Sequence, residues 1–361
     1  MEYKLSDLAT IKYGKNQKKV VSELGTIPIY GTGGLMGYAT NFLYDQPSVL
    51  IGRKGTISKV RFVTHPFWTV DTLFYTIINE KIIRPHYFYY LMTQVDLLKL
   101  NEGTTIPSLR TETLNKITLK VPNLDEQDNI LSVLEPIDEK IELNEKINKN
   151  LEKQAQTIYQ QMFIDNVSSD WTEGTLSEIA DITMGQSPSG SSYNEDGNGT
   201  IFFQGRAEFG FRFPTVRFYT TEPKRIAYAN DTLMSVRAPV GDLNVAHTDC
   251  CIGRGLASIH SKNNRQSFVL YTMFSLKKYL DVFNGEGTVF GSINRNSLNE
   301  MPILIPSDEK LDEFEALVAP MDATIRNNYD EICCLEQLRD TLLPKLMSGE
   351  LDVSGIDPLS R

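Results

Sequence analysis

Apolar and polar positions alternate between two regimes, and the pair of regimes occurs twice along the chain. In 1–122 and 171–306, short apolar runs such as Thr26–Tyr30, Ser48–Ile51, Ser58–Val63 and Thr72–Ile78 are separated by Gly, Pro and Asn, a pattern of short strands. One short helix is expected in each region, at about Pro85–Leu98 and Gln266–Val282. In 123–170 and 307–361 the apolar residues instead recur at alternating steps of four and three, the seam of a packed helix. The first seam runs Ile130, Leu134, Ile137, Ile141, Leu151, Ile158 and Met162, with Asn144, Asn148 and Ala155 in the remaining places. The second runs Phe314, Val318, Met321, Ile325, Asn328, Ile332, Leu335, Arg339, Leu342 and Leu346. Asn144 and Asn328 hold the same place in each, where a buried polar residue costs stability but fixes register.

The predicted fold class is α+β: two β-rich globular domains, 1–122 and 171–306, joined by two long helical arms, 123–170 and 307–361. A helix with one apolar stripe must cover it. Two matched stripes predict an antiparallel coiled coil and a pseudo-two-fold relation between the halves. The alternative is that each arm packs on its own domain or on another chain. Pro136 and Pro320 correspond, and proline removes a helical hydrogen bond and clashes with the preceding turn. They predict a short helix, a kink and a long helix in each arm: 125–134 then 137–164, and 308–318 then 321–347. Asn123 followed by Glu126 reads as a capping box at the first arm's start.

The recurrence extends to residue identities. Leu5-Ser-Asp-Leu-Ala-Thr-Ile-Lys-Tyr-Gly-Lys returns as Leu176-Ser-Glu-Ile-Ala-Asp-Ile-Thr-Met-Gly-Gln, and Gly25-Thr-Ile-Pro-Ile-Tyr-Gly as Gly199-Thr-Ile-Phe-Phe-Gln-Gly. The block Gly103–Pro122 aligns without a gap to Gly287–Pro306. Three blocks in one order mark a tandem duplication. Between them the halves diverge, since Tyr30–Tyr44 has little in common with Gln204–Tyr219. A kept framework with altered loops suggests two readers of different targets.

Composition narrows the setting. No apolar run approaches the ~18–20 residues that cross a bilayer, and the start lacks the basic and apolar parts of a signal peptide, so a cytoplasmic location is expected. Cys250/Cys251 and Cys333/Cys334 are adjacent pairs without zinc spacing and read as reduced thiols. The net charge of −10 is awkward for a nucleic-acid binder, because phosphate contacts need Lys and Arg.

Local clusters answer that objection in part. Arg53, Lys54, Lys59 and Arg61 lie in a glycine-bearing loop without an acid among them. Glycines let the backbone approach phosphate, and Arg pairs bidentately with guanine. The second half offers Arg237 in Arg237-Ala-Pro-Val-Gly241 at the matching place, with Gln204 and Arg206. The late loops add Thr104, Thr105, Ser108 and Arg110 in one half, and Thr288, Ser292, Asn294 and Arg295 in the other. Together these are the candidate DNA contacts. Catalytic signatures are missing: there is no Walker-type loop, Tyr30-Gly-Thr-Gly-Gly34 lacks a following helix, and the four histidines have no metal spacing. Asp71 reads as a structural hydrogen-bonding group.

Together, Gly52-Arg-Lys-Gly55, the Gly103–Pro122 block, Asp125-Glu-Gln127, Asp138-Glu-Lys-Ile-Glu-Leu-Asn144 and Leu342-Leu-Pro-Lys-Leu-Met-Ser-Gly-Glu350 resemble the specificity subunit of type I restriction-modification enzymes over nearly the whole chain. The second copy departs from the pattern at Ser307-Asp-Glu-Lys310 and at Arg-Ala-Pro-Val. The resemblance implies two target-recognition domains, each reading one part of a split DNA site, with helical arms as a ruler between them. It implies two modification subunits, adenine methyltransferases using S-adenosylmethionine, docked along the arms, and restriction subunits driven by ATP and Mg2+. This chain would bind no cofactor or metal and would be non-catalytic. Acidic arms would then face proteins while basic loops face double-stranded DNA. Two other readings fit the same residues: a coiled-coil scaffold that binds no DNA, and a self-contained nucleotide-binding enzyme.

Overall fold

A computed structural model describes residues 1–285 and 291–353. The chain divides into two compact units, Met1–Glu142 with Cys333–Arg361, and Leu143–Ile332.

In the first unit a four-stranded antiparallel sheet has the order Ala9–Tyr13, Leu73–Ile78, Ser48–Gly52, Val60–Val63. Every residue of Ser48–Gly52 is buried. Ser48 and Thr76 inside the sheet satisfy each other's backbone: the Ser48 hydroxyl donates to the Thr76 carbonyl at 2.8 Å, and Val49 N donates to Thr76 Oγ1 at 2.9 Å. The helix Pro85–Thr93 begins on proline, whose missing N–H costs nothing in a first turn, and it buries Tyr87, Phe88 and Leu91 in the same core as Val49, Ile51 and Phe74. A smaller sheet joins Gly34–Ala39, Ile27–Gly31 and Trp68–Thr69, and a two-stranded ribbon pairs Glu2–Lys4 with Thr118–Lys120.

The second unit repeats this plan. Its four-stranded sheet has the order Ala180–Met184, Leu256–Ser261, Thr232–Ser235, Leu243–Val245. Thr200–Phe203 pairs in parallel with Cys250–Ile252, as Ile27–Gly31 does with Trp68–Thr69. The ribbon Thr172–Thr175 with Pro302–Ile305 closes the domain. The helical region Gln266–Val282 is a helix at Gln266–Ser275, a turn at Lys277–Leu280 and a 3-10 segment from Asp281.

Each arm is one helix. The first runs Leu124–Tyr159 and continues as a π-helical stretch, Gln160–Asp165; the second runs Asp308–Ser348. The expected division into a short and a long helix at Pro136 and Pro320 therefore does not occur. Both prolines lie on exposed positions, away from the packed seam. Buried residues flank each proline, Leu134 and Ile137 in one helix and Val318 and Ile325 in the other. Asn123 caps the first arm by accepting from Glu126 N at 2.9 Å.

Within each unit the arm segments run antiparallel. In the first, Arg339 Nη1 bonds Asp138 Oδ1 at 2.9 Å, and Leu343 and Leu346 share a core with Ile130 and Leu134. In the second, Asn144 donates to Glu331 at 2.8 Å, Asn328 to Asn148 Oδ1 at 2.8 Å, and Asn148 to the Ile325 carbonyl at 3.3 Å. The seam asparagines thus find partners across the helix pair. Ile130, Leu134, Ile137, Ile141, Asn144, Phe314, Val318, Ile325 and Leu346 are buried; Leu151, Ile158, Met162, Met321, Asn328, Ile332, Leu335 and Leu342 are half-buried. Packing of arm on arm and of arm on domain are not alternatives here. In the second unit Ala155, Tyr159, Phe314 and Val318 form one core with Phe213, Val245 and Phe268 of the globular part.

The arms also resolve the charge. The first carries nine acidic and four basic residues, the second ten and four, a net −11 against −10 for the whole chain. Outside the arms the chain is close to neutral, which leaves its local basic clusters unopposed by a general negative field.

Candidate nucleic-acid interface

In the first unit backbone bonds weld two of the expected loops into one surface. Leu109 N donates to the Arg53 carbonyl at 2.9 Å, Gly55 N to the Pro107 carbonyl at 2.9 Å, and Lys54 faces Ser108 in a β-bridge. Gly55 has φ +90°, a conformation that favours glycine, and a Cβ there would lie 3.7 Å from Thr32 Oγ1. Asn101 folds the far side of the second loop by accepting from Gly103 N and Ser108 N at 2.8 and 2.9 Å. Thr104 and Thr105 are exposed at its tip.

The basic residues are held differently. Lys54, Lys59 and Arg61 are exposed. Arg61 lies over the Tyr30 ring at 5.2 Å; burial pushes the Tyr30 phenol up, and the guanidinium opposes that shift. Lys59, Arg61, Thr32, Gly33 and Thr56 share the rim of a recess of about 200 Å3. Arg53 is half-buried, stacked over Tyr13 at 5.1 Å and donating to the Asp71 carbonyl at 2.8 Å, so it shapes the loop from below. Arg110 is paired with Glu102 at 3.0 Å, which offsets its charge.

The second unit repeats the weld bond for bond. Ile293 N donates to the Val236 carbonyl at 3.1 Å and Ala238 N to the Gly291 carbonyl at 3.0 Å, while Arg237 bridges Ser292. Arg237 thus stands where Lys54 stands, rather than in the place of Arg53 as aligning the two Arg residues would have it. It is exposed and, among the described residues, has no ion pair. Arg206 is tied to Asp242, which Lys277 also reaches at 3.2 Å. Gln204 donates to Ser187 Oγ at 2.9 Å. Asn294 spends its side chain capping a short helix by accepting from Ser297 N at 2.9 Å, and Arg295 beside it is exposed. Thr288 lies outside the described residues.

Tyr13, Thr32 and Ser187 were not singled out from sequence, because an aromatic under an arginine or a serine beside a glutamine leaves no pattern along the chain. The Tyr30–Gly34 segment is a hairpin turn between Ile27–Gly31 and Gly34–Ala39. His247 bonds Asp330 at 2.7 Å, and Cys250 and Cys251 lie buried in a strand, where burial pushes the Cys250 thiol up to about 12. Among the described residues no group of three or more His, Cys, Asp or Glu is placed to hold a metal, and no helix is long and apolar enough to cross a membrane.

Two copies of a domain, each closed by a ribbon and followed by a long helix, also describe known proteins. The family model "Type I restriction modification DNA specificity domain" matches residues 1–153 and 168–326. A putative type I restriction enzyme MjaX specificity subunit from Methanocaldococcus jannaschii is 30% identical over 298 residues, covering 76% of this chain and 70% of that protein. The MjaIX specificity subunit of the same organism is 26% identical over 354 residues, covering 87% and 80%. The crystal structure of an S subunit from M. genitalium superposes with a TM-score of 0.63 at 18% identity, covering 96% of this chain and 95% of that one, and so shares the fold. With the family model spanning both repeats, the chain belongs to the type I restriction-modification DNA specificity family.

Proposed function

We propose that this chain reads a bipartite DNA site, one globular domain per part, and is itself non-catalytic. The observation that carries the reading is the repeated weld: in both domains the same pair of backbone bonds presents an exposed cation, Lys54 or Arg237, at the same corner. Lys59, Arg61 and Arg295 lie exposed on the same two domains and add phosphate or base contacts. Thr104, Thr105, Ser108 and Ser292 offer hydroxyls, and Gln204 an amide, to base edges. Arg53, Arg110, Arg206 and Asn294 already have protein partners and act by shaping loops.

The arms set the gap between the two parts and dock two adenine methyltransferase subunits. Their net negative charge, and exposed apolar residues such as Leu143 and Leu338, suit protein rather than DNA. S-adenosylmethionine, ATP and Mg2+ belong to the modification and restriction partners, and the assembly works on double-stranded DNA in the cytoplasm.

The test is methylation by the chain reconstituted with its modification subunits. Lys54→Ala and Arg237→Ala together are expected to lower methylation of the cognate site at least tenfold, since a good contact of this kind contributes about 1–3 kcal/mol. For contacts to phosphate, each change also reduces the salt slope of binding by about one. A double variant with wild-type methylation and an unchanged salt slope would leave the corner without a role in DNA and favour a scaffold.

A further inference from the structure

We propose that each recognition domain is clasped to its arm at two points by a repeated residue set, Arg84–Asp128 with Tyr90–Asp138 and Arg265–Asp312 with Tyr271–Asp322, and that these positioning residues fix the gap the protein accepts. This rests on the bipartite reading given above.

The set is the same in both units. Arg84 grips Asp128 with two bonds of 2.7 Å, and Arg265 holds Asp312 at 2.8 Å. Six residues further along the short helix, Tyr90 donates to Asp138 at 2.6 Å and Tyr271 to Asp322 at 2.9 Å. The two aspartates are ten residues apart on each arm, roughly 15 Å along a helix. The residue four before the tyrosine lies near the same aspartate: Ser267 Oγ donates to Asp322 at 2.7 Å, while His86 Nε2 is 3.8 Å from Asp138 and its Nδ1 bonds Glu135 at 3.0 Å. An arm side chain also caps the short helix, whose first N–H groups have no partner within it. Arg84 N donates to Gln127 Oε1 at 2.8 Å, and Phe268 N to Glu315 Oε1 at 2.7 Å.

The supporting cation differs between the units. Asp138 takes Arg339 from the second arm at 2.9 Å, whereas Asp322 takes Arg212 from the globular domain at 3.2 Å. The loops that face DNA have diverged between the repeats while the clasp has not. Apolar packing beside it, by Tyr87 and Leu91 or by Phe268, is non-directional and by itself sets no single angle between domain and arm. Directional bonds at two separated points remove that freedom.

The experiment uses the reconstituted complex and duplexes carrying the site found by methylome sequencing, with the native gap or a gap one base pair shorter or longer. Tyr271→Phe is expected to lower the ratio of native-gap to altered-gap methylation about tenfold, the effect of losing one charge-assisted bond, and, separately, Arg84→Asp about fivefold, since its ion pair is partly exposed. The exchange of Arg84→Asp with Asp128→Arg should restore most of the ratio. The bases read in each part should stay the same. An unchanged ratio in both single variants overturns the proposal, including the case in which methylation falls equally at every gap along with the melting temperature. A wild-type complex with no gap preference overturns the bipartite reading instead, and is seen before any variant is made.

Discussion

Insertion of one heptad into each arm helix, after Glu142 and after Ile332, is expected to move methylation to sites whose gap is about three base pairs longer. Both points lie inside unbroken helices. Seven residues add roughly 10.5 Å at 1.5 Å per residue, and a base pair rises roughly 3.4 Å. A whole heptad returns the apolar face to its seam, so Asn148 can still meet Asn328 and Asp138 can still meet Arg339. Insertions of three or four residues would turn the seam away and are expected to lower the yield of folded protein. Three base pairs also rotate the duplex by roughly a third of a turn, given roughly 10 base pairs per turn, so the complex built on the lengthened chain should methylate its new site more slowly. The measurement is methylome sequencing of cells carrying each version with its partner subunits. Retention of the old gap, or altered bases in either part, would sink the ruler.

Arg212→Met is expected to destabilise the second unit by about 3 kcal/mol at neutral pH, because it removes the buried cation from two half-buried carboxylates. Arg212 is only 4% exposed and reaches Tyr271 OH at 3.0 Å, Asp322 at 3.2 Å and Glu152 at 3.4 Å. Burial raises the Glu152 carboxyl above its ordinary value; Arg212 opposes this and Asp322 adds to it. A raised folded pKa means that the folded protein holds the proton more tightly than the unfolded chain. The contribution of Glu152 is therefore fully present below its ordinary pKa and is lost as pH rises through the folded one. Without Arg212 the folded value climbs further and widens that window upward. The penalty should thus be smaller near pH 5 than near pH 8. Urea unfolding of wild type and variant at both values checks this, and an equal penalty at the two would remove Glu152 from the account.

What the chain's pattern made legible was mostly local or periodic. The duplication, the seam positions and the two short helices depend on spacing along one element, and spacing survives in sequence. Asn123 as a cap is legible for the same reason, since its partner is three residues away. The predicted division of each arm into two helices at Pro136 and Pro320 failed because the cost of proline is local, whereas what kept the helices whole is burial of Leu134, Ile137, Val318 and Ile325 against other parts of the chain.

The candidate contacts divide along the same line. Sequence could show that Arg53, Lys54, Lys59 and Arg61 share a loop. It could not show that Arg53 is stacked on Tyr13 while Lys54 faces out, or that Arg110 and Arg206 are already paired. It placed Arg237 in the matching loop, but only the bonds of Val236 and Ala238 to the late loop show that it replaces Lys54. The clasp was hidden altogether, since Arg84 lies 44 residues from Asp128 and Tyr271 lies 51 from Asp322. By itself, then, the sequence determined that there are two copies of a β-rich domain and a long helix, because strand and helix formation answer to periodicity. Tertiary structure alone decided which basic side chains remain free and how each domain is fastened to its arm. Those depend on directional contacts between residues that only folding brings together.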